Sequence, residues 1–171
     1  MRLIAKTVPF ATVLLLALLS VIPWGLGEGP GFTLPALPFV AIHYWSTRHA
    51  SLLPAPLVFL AGLGVDVLSH GPLGYWSLVY LAGIALTHAS EELMGPAEGV
   101  GHWLGFCGAM AGLMAVAWLL ASAYFARAID WWPMAVAALI LVAVYPVLAG
   151  LMSLVENWVA GPQVLNLERR G

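Results

Sequence analysis

Residues 33–86 read TLPALPFVAIHYWSTRHASLLPAPLVFLAGLGVDVLSHGPLGYWSLVYLAGIAL. Three apolar segments are set apart by punctuation: Pro35 and Pro38, then Arg48-His49, then Pro54 and Pro56, then Gly71-Pro72-Leu73-Gly74. Each segment is too long for a typical strand and is closed by a helix breaker, so the stretch predicts consecutive helices. Within it stands one acid, Asp66. A carboxylate in a segment otherwise fit for lipid is expensive, at about 2.5–3.5 kcal/mol for a span centre and less near an interface. Its place therefore needs a physical reason.

The rest of the chain has the same character. Hydrophobic residues make up 62% and charged ones 8% of the 171 residues, against roughly 45–50% and 25% for soluble domains. Mean hydropathy is +0.95. A chain this short could not hide so much apolar surface from water, so the composition predicts one membrane domain. The net charge of −2 and the absence of a basic run argue against a nucleic-acid partner. A single cysteine, Cys107, excludes an internal disulfide and a multi-cysteine metal site.

Six stretches are candidate spans: about 4–24, 32–45, 53–69, 75–88, 101–125 and 132–154. A bilayer core takes roughly 17–25 residues per helix. The first follows Arg2 and Lys6 but has no clean small-x-small cleavage site, so it reads as a retained helix rather than a leader. With six spans and a cytoplasmic amino terminus, Arg2, Lys6, Arg48, Arg169 and Arg170 fall inside and only Arg127 outside, as the positive-inside rule favours. The acidic loop with Glu91, Glu92 and Glu98 would also be cytoplasmic, but acids count little in that rule. Trp24, Trp45, Trp76, Trp103, Trp131, Trp132 and Trp158 fall near span ends, where interfacial anchoring is the expectation; Trp118 falls mid-span.

Several groupings could carry chemistry. Gly62, Asp66, Ser69 and His70 share one helix face if the helix continues through them. Asp66 is expected to cap or brace the Gly71–Gly74 turn or to accept hydrogen bonds from a neighbouring helix, since one acid without a second intramembrane charge makes a poor proton relay. Such a brace tolerates Asn better than Leu. Gly101, Gly105, Gly108 and Gly112 form a second face in two GxxxG patterns, which predicts close packing on another helix of the chain or of a partner. His88, Glu91 and Glu92 have metal-compatible spacing but no convergent third ligand. The Glu91-Glu92 pair lacks the arginine three residues on that CAAX-type intramembrane proteases require. No GxSxG, HExxH or GxxxxGK[ST] is present, so no catalytic residue, metal or cofactor is expected. His43 and His49 read as headgroup contacts. Pro146 predicts a kink in the last helix.

The order of pieces in 33–86 resembles the MreD family, the rod-shape-determining membrane subunits of the bacterial cell-elongation machinery. The resemblance rests on a proline-led segment from Pro38 to Tyr44-Trp45 with Arg48. After it come Phe59, Gly62, Leu63, Asp66, Leu68, Gly71, Pro72, Leu73 and Gly74. His70 departs from the pattern, where a glycine or small residue is usual. The likeness covers about a third of the chain. It implies an all-α bundle of six transmembrane helices, akin in architecture to the S components of vitamin transporters, in the bacterial inner membrane with both termini cytoplasmic. It also implies a non-catalytic scaffold for peptidoglycan sidewall synthesis. Its direct partner would be MreC, and through it the complex would include MreB, RodZ, RodA and the RodA transpeptidase. The alternative function is a small-solute or vitamin-binding transport subunit of S-component type.

Overall fold

The computed structural model describes residues 2–22, 34–95 and 99–160, with side chains from 7 onward apart from 94, 159 and 160. Among these, all regular structure is helical. In chain order the helices are α1 (Arg2–Val21), α2 (Leu37–His49), α3 (Ala55–Leu68), α4 (Tyr75–Met94), α5 (Val100–Tyr124) and α6 (Trp132–Ala160), with a single 3₁₀ turn at Ala50–Leu52. Trp24, Glu98, Arg169 and Arg170, and the side chains of Arg2 and Lys6, lie outside the described residues. The orientation inferred from those basic residues is therefore carried by sequence alone.

Among the described residues two helices, Val100–Tyr124 and Trp132–Trp158, are long and apolar enough to cross a membrane. Thr7–Val21 and Ala55–Leu68 are apolar but shorter. The second helix differs most from its expected limits. It starts at Leu37 rather than near Phe32, with a proline in its first turn, and continues past Trp45 to His49. The sequence reading stopped it where Ser46, Thr47 and Arg48 turn polar. Thr47 Oγ1 in fact donates back to the carbonyls of His43 and Tyr44, and Arg48 lies 4.8 Å over the Tyr44 ring. These contacts give the polar residues local partners, so the helix has no reason to end there.

At 13 residues, α2 is roughly 20 Å long. It is also the centre of the molecule, with every residue from Pro38 to Ser46 buried. A helix apolar on all sides belongs inside a bundle. α1, α4 and α6 pack around it, α3 joins α1 to α4, and α5 lies between α4 and α6. The core is built on Phe39, Ile42, Tyr44, Val58, Tyr80, Phe106, Met110, Leu113 and Tyr145. The Tyr80 hydroxyl donates to the Pro35 carbonyl and ties α4 to the chain entering α2. By contrast α6 turns a long apolar face outward, with Leu139 67%, Val147 64% and Leu154 64% exposed. Soluble monomers rarely leave so continuous an apolar face uncovered.

Candidate functional site

Of the residues that carry the family resemblance, those from Phe59 to Gly74 meet at the junction of α3 and α4. Gly62 is where the helices come closest: a Cβ there would lie 2.5 Å from Ser77 Cα. Only glycine permits that approach. Across the same contact the Ser77 hydroxyl donates to the Phe59 carbonyl at 3.0 Å. Asp66, one turn on from Gly62, is fully buried. Its Oδ2 accepts from Gly74 N at 2.8 Å and its Oδ1 from Trp76 N at 2.9 Å. These backbone N–H groups open α4, whose N-cap, Gly74, has no side chain to serve them and adopts a φ of 91°. A carboxylate from the preceding helix thus does the work of an N-cap, at the helix end where negative charge is favoured. Gly71 N donates to the Asp66 carbonyl at 3.1 Å, and Tyr75 N to the Pro72 carbonyl at 3.2 Å, which closes the turn. Leu73 is exposed.

The four-residue face expected from Gly62 to His70 is only half formed. α3 ends at Leu68, so Ser69 and His70 lie beyond it, both exposed, and His70 has a φ of 55°. The Asp66 carboxylate therefore works with two backbone amides at the start of α4, while Ser69 Oγ reaches only the Asp66 backbone carbonyl, at 3.4 Å.

Trp45 does not face outward as an anchoring tryptophan would, and Tyr44 beside it is likewise turned inward. Both are buried. Trp45 Nε1 donates to Thr12 Oγ1 of α1 at 2.8 Å, and Tyr44 donates to Glu156 Oε2 of α6 at 2.7 Å. Glu156 also accepts from His49 Nε2 at 2.8 Å and lies 3.9 Å from Arg48. The pair thus fastens α2 to the helices on either side. Trp103 likewise serves a structural bond, described below, while Trp131, Trp132 and Trp158 are exposed as anchoring residues would be.

The glycine face of α5 divides. Gly105 is buried against Ser90 of α4, and Gly112 sits under Leu86, whose Cδ2 a Cβ would meet at 2.9 Å. Gly108 has no atom within 4 Å of a Cβ position and is exposed. Gly101 borders a cavity treated next. Half the face is thus used within the chain, and Gly108 remains open.

Local spacing gave no sign of the most polar buried feature. His43 of α2, Tyr145 of α6 and His102 of α5 form one hydrogen-bonded row. His43 Nδ1 lies 3.1 Å from Tyr145 Oη, which lies 2.7 Å from His102 Nε2. Phe106 stacks on Tyr145 at 3.8 Å between ring centroids and meets His43 edge-on. His43 is 1% exposed, not a headgroup contact. Its Nε2 has no hydrogen-bond partner among the described residues. His43 and His102 border a cavity of about 30 Å³ together with Thr47, Ser90 and Glu91. The cavity lies at the end of the bundle where α2 and α4 finish and α5 begins. Burial pushes the Glu91 carboxyl above its usual value, opposed by nearby His88. The residues missed by sequence reasoning are 43, 102 and 145, which come from three helices and share no periodicity.

No family model, curated protein or solved structure matches this chain.

Proposed function

We propose that this chain is a six-span, non-catalytic scaffold of the bacterial inner membrane, of the MreD kind, which holds MreC within the cell-elongation complex. The observation that carries the reading is the α3–α4 clasp. The motif residues Gly62, Asp66, Gly71 and Gly74 form one structural unit, in which Asp66 is consumed by two backbone amides. An acid so committed is a fastener rather than a relay, as a scaffold needs. The shortness of α2 is compatible with six spans, because a helix enclosed by its neighbours need not match the lipid thickness of about 30 Å. The outward apolar face of α6 suits lipid or a partner helix.

The solute-transport reading draws less support. The polar cavity holds one water-sized group, at about 30 Å³. The larger groove, about 320 Å³ between α5 and α6, is lined by Met114, Trp118, Trp131, Met134 and alanines. Neither suits a polar vitamin.

Depletion of the chain in its native cell, followed by microscopy, tests the proposal. Rounding with loss of sidewall synthesis is expected. Normal shape, with a growth defect rescued by one nutrient, would replace the scaffold with the transport subunit.

A further inference from the structure

We propose that the groove between α5 and α6 holds one acyl chain of a membrane phospholipid, whose phosphodiester is bound by Arg127. The groove has a volume of about 320 Å³ and is lined by Met114, Ala115 and Trp118 of α5 and by Trp131, Met134 and Ala135. Trp118 Nε1 donates to the Ile129 carbonyl at 2.7 Å, so this indole offers the groove only its apolar ring. Methionine side chains are flexible enough to close on a chain of any conformation. At the roughly 30 Å³ that a water molecule fills in the liquid, the groove has space for about ten groups of that size, a stretch of one acyl chain. A helix about 10–12 Å across takes roughly 400 Å³ or more for each turn, so a partner helix does not fit inside it.

One end of the groove carries the marks of headgroup depth. Tyr124, Phe125, Trp131 and Trp132 flank the connection from α5 to α6, and all four are exposed. Exposed aromatic rings of this kind settle where lipid headgroups meet hydrocarbon. Trp131 belongs both to this belt and to the groove wall, which joins the two. Arg127 stands in the same connection. Its backbone N–H donates to the Ser122 carbonyl at 3.1 Å, and Ile129 N donates to Ser122 Oγ at 3.3 Å, so the connection is folded onto the end of α5. Ile129, whose carbonyl holds the Trp118 indole, is only two residues on, within about 8 Å from Cα to Cα. Arg127 is exposed and forms no ion pair among the described residues. Asp130, three residues on, accepts from Trp132 N at 3.1 Å at the start of α6. Arg127 is also the one base that the six-span reading puts outside, so membrane orientation does not account for it. A guanidinium at headgroup depth beside an apolar groove complements a phosphodiester joined to an acyl chain, and its forked donors match phosphate oxygens in pairs. The proposal rests on the membrane reading and not on the cell-elongation role.

The test uses the full chain in detergent, titrated with dioleoyl phosphatidylglycerol and read by native mass spectrometry. One phospholipid should stay bound to each chain. Dioleoylglycerol, which has the same acyl chains and no phosphate, should bind about tenfold or more weaker. Arg127→Gln should weaken the phospholipid by about the same factor and leave dioleoylglycerol unchanged. Ala115→Phe, at an exposed position of α5 that lines the groove, should weaken both ligands severalfold. Leu154→Phe, on the outward face of α6 away from the groove, should change neither. No retained phospholipid, equal binding of the two ligands, or unchanged phospholipid binding in Arg127→Gln or in Ala115→Phe would overturn the proposal. A dimeric mass free of lipid would also overturn it and seat a second copy in the groove. Insertion of the chain into liposomes is measured separately. Failure to insert removes the membrane reading together with this site, whereas insertion without a retained lipid removes the site alone. Cell shape enters none of these readouts, so the scaffold role and the lipid site fail separately.

Discussion

The Trp103 indole occupies the hydrogen-bonding gap that Pro146 opens in α6. Proline has no N–H, so the carbonyl four residues before it, that of Val142, has no partner within the helix. Trp103 Nε1 donates to that carbonyl at 3.0 Å from α5. α6 runs from Trp132 to Ala160 with Pro146 inside it. The proline and the tryptophan thus act as a pair that pins α5 to α6. Trp103→Phe should lower stability by about 0.5–2 kcal/mol, the loss of one bond to a buried carbonyl. In a Pro146→Ala background the alanine N–H can serve Val142, so the same change should cost less. Denaturant titration of the double-mutant cycle in detergent measures the difference, and strictly additive losses would contradict the pairing.

Asp66 serves one backbone amide with each carboxylate oxygen, which sets the order of its substitutions. Asn retains one acceptor and turns an N–H₂ toward the second amide. Asp66→Asn should therefore cost about 1–3 kcal/mol, and Asp66→Leu, which orphans both amides, clearly more. Protein abundance and melting temperature should both fall in the order wild type, Asn, Leu. Loss of function in Asn at wild-type abundance and stability would instead assign the carboxylate a charge or proton role.

Two glycines two residues apart in α3 should respond in opposite directions. Gly62→Ala drives a methyl into the Ser77 backbone, which has no flexible end to yield, and should destabilise by about 1–3 kcal/mol or more. At Gly64 a Cβ meets nothing within 4 Å, so Gly64→Ala should be neutral or stabilising by up to about 1 kcal/mol. Melting curves of the two variants decide it.

What the sequence made legible was set by periodicity and punctuation. The limits expected for the fifth helix, 101–125, differ from α5 by one residue at each end, because the glycine-rich opening and the polar close are local signals. The fourth helix was expected to stop at His88, yet α4 runs to Met94 and ends where Gly95 takes a φ of 73°; Glu91 and Glu92 suggested a loop, although glutamate is a good helix former. Asp66 could be read as a cap or brace from its place before the Gly71–Gly74 turn, or as an acceptor from a neighbouring helix, but the amides it serves, those of Gly74 and Trp76, could not be named. The His43–Tyr145–His102 row could not be read at all. It joins residues 102 positions apart, and only the tertiary packing of α2, α5 and α6 brings them together.

The divided glycine face separates folding from partner binding in one experiment. Gly105 is buried against α4, so Gly105→Leu should disrupt the α4–α5 contact and reduce abundance, whatever the chain's partners. Gly108 is exposed and clear of every neighbouring atom, so a leucine there fits the isolated chain. If this open position is where a partner helix approaches, Gly108→Leu should leave the melting temperature unchanged and reduce copurification with the proposed partner, MreC, severalfold, since one bulky side chain prevents close backbone approach in lipid. Copurification at wild-type levels would remove α5 from the partner surface and leave the outward face of α6, around Val147 and Leu154, as the place to substitute next.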